Sequence, residues 1–283
     1  MRSWVIRDGV LTLTRPLVMG VLNVTPDSFY EGSRCFGRTE EAVSQALRML
    51  EAGADLIDIG GESSRPGSSR VTEDEELRRV IPVVEKVASS HGACTISIDT
   101  CKAAVAREAA AAGARVINDI SAGRLDERLL GVVAETGCGY VLMHMQGTPE
   151  TMQVAPRYDD PVGEVRQFFE LGMSSLAQVG IDSSRVVLDP GIGFGKRLED
   201  NLALLAHASA LRCQERPLLY GLSRKSFLGS ALGRDTADRL NGTTAAHMFV
   251  LMQGVDILRV HDVEAAVDTV RLFLALEEAG SGN

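Results

Sequence analysis

Acidic and amide side chains recur in this sequence at the ends of short apolar runs. Asp99 ends the run ISID, Asn118 lies in VIND, and Asp189 ends VVLD. A buried carboxylate without a partner is costly, so acids in such positions need hydrogen-bond donors. A flat heterocycle with an amino-amidine edge would supply them. A helix cap or an internal ion pair explains each residue equally well on its own, whereas three on neighbouring strands favour a shared site.

Basic residues follow other apolar runs in the same way, in a chain whose formal net charge is −9. The members of this basic group are Arg65, Lys225, Arg259 and His261. Arginine offers paired hydrogen bonds to a phosphate, and lysine offers a point charge. Each residue alone is more typical of a solvated surface, but together they favour a site for a phosphate or pyrophosphate.

The run GIGFGK, residues 191–196, has the composition of a phosphate-binding loop but not its spacing. Three residues separate Gly191 from Gly195, and Arg197 follows the lysine. A P-loop needs four residues between its glycines and Ser or Thr after the lysine. The glycines can instead let the backbone pass close to a ligand.

Other catalytic patterns are not indicated. The sequence contains no H-x-x-x-H spacing and no Ser-His-Asp order, so zinc and hydrolytic chemistry lack support. In LMHM, strand alternation places Met143 and His144 on opposite faces. Met143 is predicted to form a pocket wall, and His144 is given no role.

Eight β-rich runs alternate with stretches of helical length, and this rhythm predicts the fold. The strands are predicted at 17–24, 56–61, 95–100, 115–120, 140–145, 186–191, 218–223 and 257–262. The helices are predicted at 39–52, 73–90, 102–112, 126–136, 162–179, 200–212, 238–253 and 263–277. We expect one α/β domain over 1–283: a (β/α)₈ TIM barrel at 17–277 after a hairpin at 4–14, whose turn is Asp8-Gly9. A doubly wound open sheet is the alternative.

Composition narrows the classes of function. The 283 residues are 45% hydrophobic, enough for a sizeable core, and the acidic net charge argues against nucleic-acid partners and anionic membranes. No apolar run is long enough to span a bilayer, and MRSWVIRDGV lacks a signal-peptide core, which predicts a cytoplasmic protein. The five cysteines are scattered without a C-x-x-C pair, so they are expected to be reduced thiols.

Eight motifs, in order from about residue 17 to residue 275, resemble those of the dihydropteroate synthase family of pterin-binding TIM barrels. They are NVTPDSF, GGESSRPGS, SIDT, NDI, LMHMQG, LDPGIGFGK, SRKSFLG and RVHD. The resemblance implies a transferase of folate biosynthesis that condenses 6-hydroxymethyl-7,8-dihydropterin pyrophosphate with 4-aminobenzoate, with Mg²⁺, and that is a sulfonamide target. It also implies a homodimer formed through the outer helices, which 265–279 would suit; packing of the last helix on the barrel is the alternative.

The resemblance also implies roles for individual residues. Pterin would be bound by Asp99, Asn118, Asp189 and Lys225, in a slot lined by Ile120, Met143, Phe194 and Gly221. Pyrophosphate would be held by Asn23, Arg65, Arg259 and His261, with Asn23 also touching Mg²⁺. The 4-aminobenzoate would lie near Phe29, Ser64, Lys225 and Ser226. Asp99, Asp189, Lys225 and Arg259 would carry the catalytic step.

The sequence departs from the family pattern in its first loop, where Tyr30, Glu31 and Gly32 follow the phenylalanine in place of the common Ser-Asp-Gly. This departure keeps open a pterin-binding paralogue without turnover. A methyltetrahydrofolate-dependent methyltransferase shares the pterin barrel and is a second alternative. Such a methyltransferase binds no pyrophosphate, so the cations in SRK and RVH argue against this alternative.

Overall fold

The computed structural model describes residues 2–25, 35–62, 71–90 and 94–281. Within these ranges, a two-stranded antiparallel sheet is formed by β1 (Arg2–Ile6) and β2 (Gly9–Leu13). The remaining strands form one parallel sheet: β3 (Leu17–Asn23), β4 (Leu56–Gly60), β5 (Thr95–Asp99), β6 (Val116–Asp119), β7 (Gly139–Met143), β8 (Val186–Asp189), β9 (Leu219–Gly221) and β10 (Ile257–Val260).

The parallel sheet closes on itself. Each strand from β3 to β7 pairs with the next one in the chain, and β10 pairs with both β9 and β3. A bridge between Leu188 and Leu218 joins β8 to the start of β9 and completes the ring. The predicted (β/α)₈ TIM barrel is therefore confirmed, and the open-sheet alternative is wrong.

Helices connect the strands on the outside, as parallel crossovers require. They are α1 (Cys35–Glu51), α2 (Glu73–Ser90), α3 (Ala103–Ala112), α4 (Leu129–Thr136), α5 (Pro161–Gln178), α6 (Leu198–Ala206), α7 (Ser226–Leu232), α8 (Leu240–Met252) and α9 (Val263–Ser281). The sequence did not predict α7, because seven residues containing Gly229 are too few to show helical periodicity. The predicted helix 200–212 ends early, and a separate 3-10 turn covers Ala208–Leu211.

The N-terminal hairpin packs against the amino end of the barrel. Asp8 has φ 59°, the left-handed conformation that the tight turn needs. Trp4 is fully buried, and its Nε1 donates to the Arg185 carbonyl oxygen at 2.8 Å. A Cβ on Gly139 would come within 2.9 Å of that nitrogen, so β7 must begin with glycine there.

An apolar layer fills the barrel interior above the hairpin. Inward-facing strand residues join Trp4 and Ile6 in one buried cluster; they are Met19, Leu56, Val116, Val141, Val187, Leu219 and Ile257. Residues of opposite parity, such as Ile57 and Ile117, pack against the helices in the outer core. The apolar layer therefore lies directly beneath the side chains at the next inward-facing positions of the strands.

None of the helices in the described ranges is long and apolar enough to cross a membrane.

Candidate active site

The side chains of the site lie one layer above the apolar layer. Since successive strand residues alternate between faces, a residue two positions further along points into the barrel as well. The inward-facing pairs are Leu56 and Asp58, Val116 and Asn118, Val141 and Met143, Val187 and Asp189, Leu219 and Gly221, and Ile257 and Arg259. Six strands thus contribute one polar, glycine or methionine position each to the same level of the barrel.

Arg259 lies at the centre of this polar layer. Its Nε donates to Asp58 Oδ2 at 2.6 Å, and its Nη2 donates to Asp99 Oδ2 at 2.6 Å. Asn118 Nδ2 donates to the same Asp58 oxygen at 2.9 Å. Asp58 is fully buried, and its Oδ1 has no hydrogen-bond partner among the described residues. One cation therefore ties β4, β5 and β10 together across the barrel.

Burial shifts the ionisation of the other charged groups. It raises the pKa of Asp99, with Arg259 opposing the rise and Asp58 adding to it. It also raises the pKa of Asp189, against the positive charge of Lys225. Burial acts in the opposite direction on Lys225 and lowers its pKa to about 8. The charge of a bound ligand can therefore change which of these groups carry protons.

Lys225 lies between the loop after β8 and the floor of the site. Its Nζ donates to the Ile192 carbonyl oxygen at 2.6 Å and lies 4.9 Å from the centre of the Phe194 ring. A Cβ on Gly221 would be 3.5 Å from the same Nζ. The missing side chain at Gly221 thus leaves space beneath the ammonium group.

One side of the site is apolar. Met143 is 2% exposed and packs with Met145 and Met152, and Ile120 and Phe194 pack on this cluster. Methionine and phenylalanine side chains form polarisable, adaptable surfaces that suit the face of a flat ring. The structure therefore brings a wall for a planar ligand next to a row of hydrogen-bonding groups.

The loops after β9 and β10 are joined to each other. The His261 backbone N–H donates to Ser223 Oγ at 3.2 Å, and Arg224 makes two hydrogen bonds to Asp262, at 2.8 and 2.9 Å. His261 and Ser226 are exposed at this rim. Arg224 is occupied by its carboxylate partner, so the pair positions the loop that carries Lys225.

A cleft of about 510 Å³ opens beside Asp99 and Ile120 at the carboxyl ends of the strands. Its volume is in the range of small-molecule sites. Lys102 lines the cleft and hydrogen-bonds to both Glu62 and Glu76. The polar layer is therefore bordered by a space of ligand size.

Comparisons with known proteins agree with this geometry. The profile of a family described as "Pterin binding enzyme" matches residues 19–261. Dihydropteroate synthase from Escherichia coli K12 is 47% identical over 265 residues, covering 94% of this chain and 93% of the relative. The chain belongs to the dihydropteroate synthase family. The Synechocystis enzyme of the family is 43% identical, covering 93% of this chain and 90% of the relative.

Solved structures of the dihydropteroate synthase family have the same fold. The Yersinia pestis enzyme with a sulfonamide drug superposes with a TM-score of 0.91 at 46% identity, covering 98% of this chain and 99% of that one. The Xanthomonas albilineans enzyme in complex with 7,8-dihydropteroate has a TM-score of 0.86 at 44% identity, covering 96% and 98%. At 44–46% identity, these two structures resemble the chain in sequence as well as in fold.

Most residues implied by the family resemblance occur together in the structure. The polar layer and its apolar wall contain Asp99, Asn118, Ile120, Met143, Asp189, Phe194, Gly221, Lys225 and Arg259. Asn23 ends β3, and His261 and Ser226 lie at the rim. Phe29, Ser64 and Arg65 lie outside the described residues, as does the departure at 30–32. The roles of all these residues remain predictions.

Sequence reasoning missed three parts of the site. Asp58 is the partner of Arg259, and its signal was an acid inside the buried run LIDIG. Met145 and Met152 extend the apolar wall, but nothing in the sequence distinguishes them from ordinary core methionines. Lys196 lies in the motif GIGFGK, whose spacing does not fit a P-loop, so the sequence indicated no role for it. In the structure Lys196 is only 4% exposed.

Asp189→Asn tests the acidic side of the site. The amide keeps the shape of the side chain and an acceptor for the Gly191 N–H, which now bonds to Asp189 Oδ1 at 2.7 Å, but it loses the charge. Charged hydrogen bonds contribute about 1.5–3 kcal/mol, so calorimetry should show pterin affinity reduced roughly tenfold or more. Asp159→Asn, at a side chain that is 91% exposed, is the control. Equal pterin affinity in the two variants would exclude this role for Asp189.

Proposed function

We infer that this chain catalyses the dihydropteroate synthase reaction, in which 6-hydroxymethyl-7,8-dihydropterin pyrophosphate and 4-aminobenzoate give 7,8-dihydropteroate and pyrophosphate. The inference rests on one observation above all: acids, an amide and cations share a single level of the barrel beside a methionine-rich wall. A solved relative from Xanthomonas albilineans contains 4-aminobenzoic acid. The Yersinia complex with a sulfonamide supports the view that this chain is also a sulfonamide target.

The proposed pterin slot lies between the apolar wall and the acids. A pterin presents N–H donors along one edge, and Asp189 is an acceptor aimed into the barrel at that level. Met143 and Phe194 would lie against the faces of the ring, and Lys225 would donate to its acceptor atoms. The arrangement orients the ring mainly through hydrogen bonds, while the wall excludes water from it.

The chemical step needs stabilisation of charge more than proton transfer. As pyrophosphate leaves, positive charge develops on the pterin methylene and negative charge on the leaving group. Fixed carboxylates stabilise the first, and cations at the ends of β9 and β10 stabilise the second. The arylamine nitrogen is already a neutral nucleophile, so the protein mainly has to hold it in line with the methylene carbon.

Mg²⁺ is part of the proposal, with Asn23 as its protein ligand. Among the residues that the structure describes, no group of three or more His, Cys, Asp or Glu side chains could hold a metal ion. This fits Mg²⁺, which is commonly bound by one or two protein oxygens together with substrate phosphates and water. Asn23 is a half-buried amide at the end of β3. When bound, the ion would neutralise charge on the pyrophosphate.

A cytoplasmic location also belongs to the proposal. The cysteines whose side chains the structure describes, Cys94, Cys101, Cys138 and Cys213, are free thiols. Reduced, scattered thiols suit a reducing compartment, where disulfides are rare.

Product formation tests the proposed reaction. Protein incubated with both substrates and Mg²⁺ should yield dihydropteroate and one pyrophosphate per turnover, detected by chromatography and by a phosphate assay after hydrolysis with inorganic pyrophosphatase. Chelation of Mg²⁺ with EDTA should lower the rate, and added Mg²⁺ should restore it. Protein that binds the pterin substrate but forms no product would instead be a paralogue without turnover.

Arg259→Lys tests the assignment of Arg259 to the pyrophosphate. Alanine would leave Asp58 and Asp99 unpaired, whereas lysine keeps the charge but cannot bridge two carboxylates and a ligand together. The pyrophosphate-bearing pterin should lose affinity roughly tenfold more than bare 6-hydroxymethyl-7,8-dihydropterin. Arg157→Lys, at a side chain that is 84% exposed, is the control. Equal losses for the two pterins would contradict the assignment.

The homodimer is proposed to form through α8 and α9, which pack side by side on the outside of the barrel. Large apolar side chains are exposed along them; these are Phe249, Met252, Leu272 and Leu276. Leu272 and Leu276 are one helical turn apart, so they share a face. Several large exposed apolar side chains on two neighbouring helices support an interface there.

Leu276→Glu tests this interface. A charge at a position that is 58% exposed should be harmless in a monomer but should disrupt an apolar dimer contact. Analytical ultracentrifugation should show a dimer for the wild type and a shift towards monomer for the variant. Leu171→Glu, at a position on α5 that is 63% exposed, is the matched control and should leave the dimer intact. A monomeric wild type would refute the proposed dimer.

A further inference from the structure

The loop between β8 and α6, residues 190–197, lies directly against the backbone that follows β7. Gly191 has φ 63°, and a Cβ there would come within 2.0 Å of the His144 carbonyl oxygen. Gly195 has φ 61°, and its Cβ would come within 2.6 Å of the Gln146 carbonyl oxygen. Only glycine combines the left-handed conformation with so close an approach. The two backbone segments therefore touch without side chains between them.

Lys196 joins the two segments from the inside. Its Nζ lies 3.0 Å from the carbonyl oxygens of both Gly191 and Phe194, in its own loop. On the other segment, it lies 2.9 Å from His144 Nδ1 and 3.3 Å from the His144 carbonyl oxygen. An ammonium group has three N–H donors, and each of these four atoms can accept. The charge is thus enclosed by acceptors from both segments.

The same loop supplies two contacts to the candidate pterin site. The Ile192 carbonyl oxygen accepts from Lys225 Nζ at 2.6 Å, and the Phe194 ring lies 4.9 Å from that nitrogen. Phe194 also packs on the cluster that contains Met143. A shift of this loop would therefore move a wall of the site and the partner of its lysine at the same time.

Packing alone does not explain an ammonium group in this place. Burial lowers the pKa of Lys196 to about 7, although the charge of Asp189 opposes that change. Burial likewise lowers the pKa of His144 to about 2, so its imidazole stays neutral and can accept a hydrogen bond. Methionine would fill a similar volume without placing a charge in the interior. The polar contacts across the two segments are what the lysine adds.

We propose that Lys196 is a positioning residue of the pterin site, whose buried ammonium holds the β8–α6 loop against the end of β7 so that Ile192 and Phe194 meet Lys225. This inference rests on the proposed function, which assigns Phe194 and Lys225 to the pterin, and it goes beyond that function because Lys196 acts only through them. It also gives His144 a role, as an acceptor for Lys196.

Lys196→Met tests the proposal, with Lys86→Met as the matched control on a side chain that is 43% exposed. The probes are 6-hydroxymethyl-7,8-dihydropterin and inorganic pyrophosphate with Mg²⁺, titrated calorimetrically. Loss of hydrogen bonds from a charged group should weaken pterin binding roughly tenfold or more. Pyrophosphate, whose assigned residues lie on other elements, should bind within about twofold of the wild type. The control should bind both probes as the wild type does.

Hydrogen exchange separates positioning from general stability. In Lys196→Met, peptides covering 190–197 should exchange faster, while peptides covering β3 should exchange at the wild-type rate. If Lys196 merely stabilises the fold, exchange will rise in both regions and the folded fraction will bind pterin with wild-type affinity. That result would overturn the proposal.

A second variant tests the proposal if Lys196→Met does not fold. Lys196→Gln keeps N–H donors without the charge, so its pterin affinity should lie between those of the wild type and a folded methionine variant. Wild-type affinity for pterin in the glutamine variant, or in a folded methionine variant, would overturn the role of Lys196 but not the proposed function. A wild-type protein that binds no pterin would overturn the proposed function as well.

Discussion

The polar layer of the barrel depends on the guanidinium group of Arg259, which is shared between Asp58 and Asp99. These residues come from β10, β4 and β5, and Asn118 from β6 bonds to the same Asp58 oxygen. Buried charges persist only when they are paired, so removal of one member would leave the others uncompensated inside the barrel. One cation therefore sets the positions of two carboxylates and, through Asp58, that of Asn118.

A site of this kind needs support from elsewhere in the fold. Residues two positions apart on the same strands have opposite energetic effects: Leu56, for example, stabilises by burial, whereas Asp58 places a charge in the interior. A fully buried aliphatic side chain contributes about 1.5–3 kcal/mol, while a desolvated ion costs several. The apolar layer and the hairpin beneath it, with Trp4 fully buried, can thus offset the cost of the polar layer.

The sequence predicts the barrel well because hydrophobic runs and helical stretches alternate, and it predicts Asp99, Asn118 and Asp189 because polar residues at strand ends share one mouth. Asp58 could not be found by that rule, since it lies inside a strand, and its pairing with Arg259 joins residues 201 positions apart. Lys196 was missed because its motif was compared only with a nucleotide loop. The short helix α7 lacks the length that periodicity requires.

The buried acids of the site lie beside cations that counter their negative charge. Burial raises the pKa of Asp99 and Asp189, and the positive charges of Arg259 and Lys225 respectively oppose that rise. Burial also lowers the pKa of Lys225 to about 8, and a nearby anion acts in the opposite direction by favouring the ammonium form. Substrate binding and protonation at this lysine therefore reinforce each other.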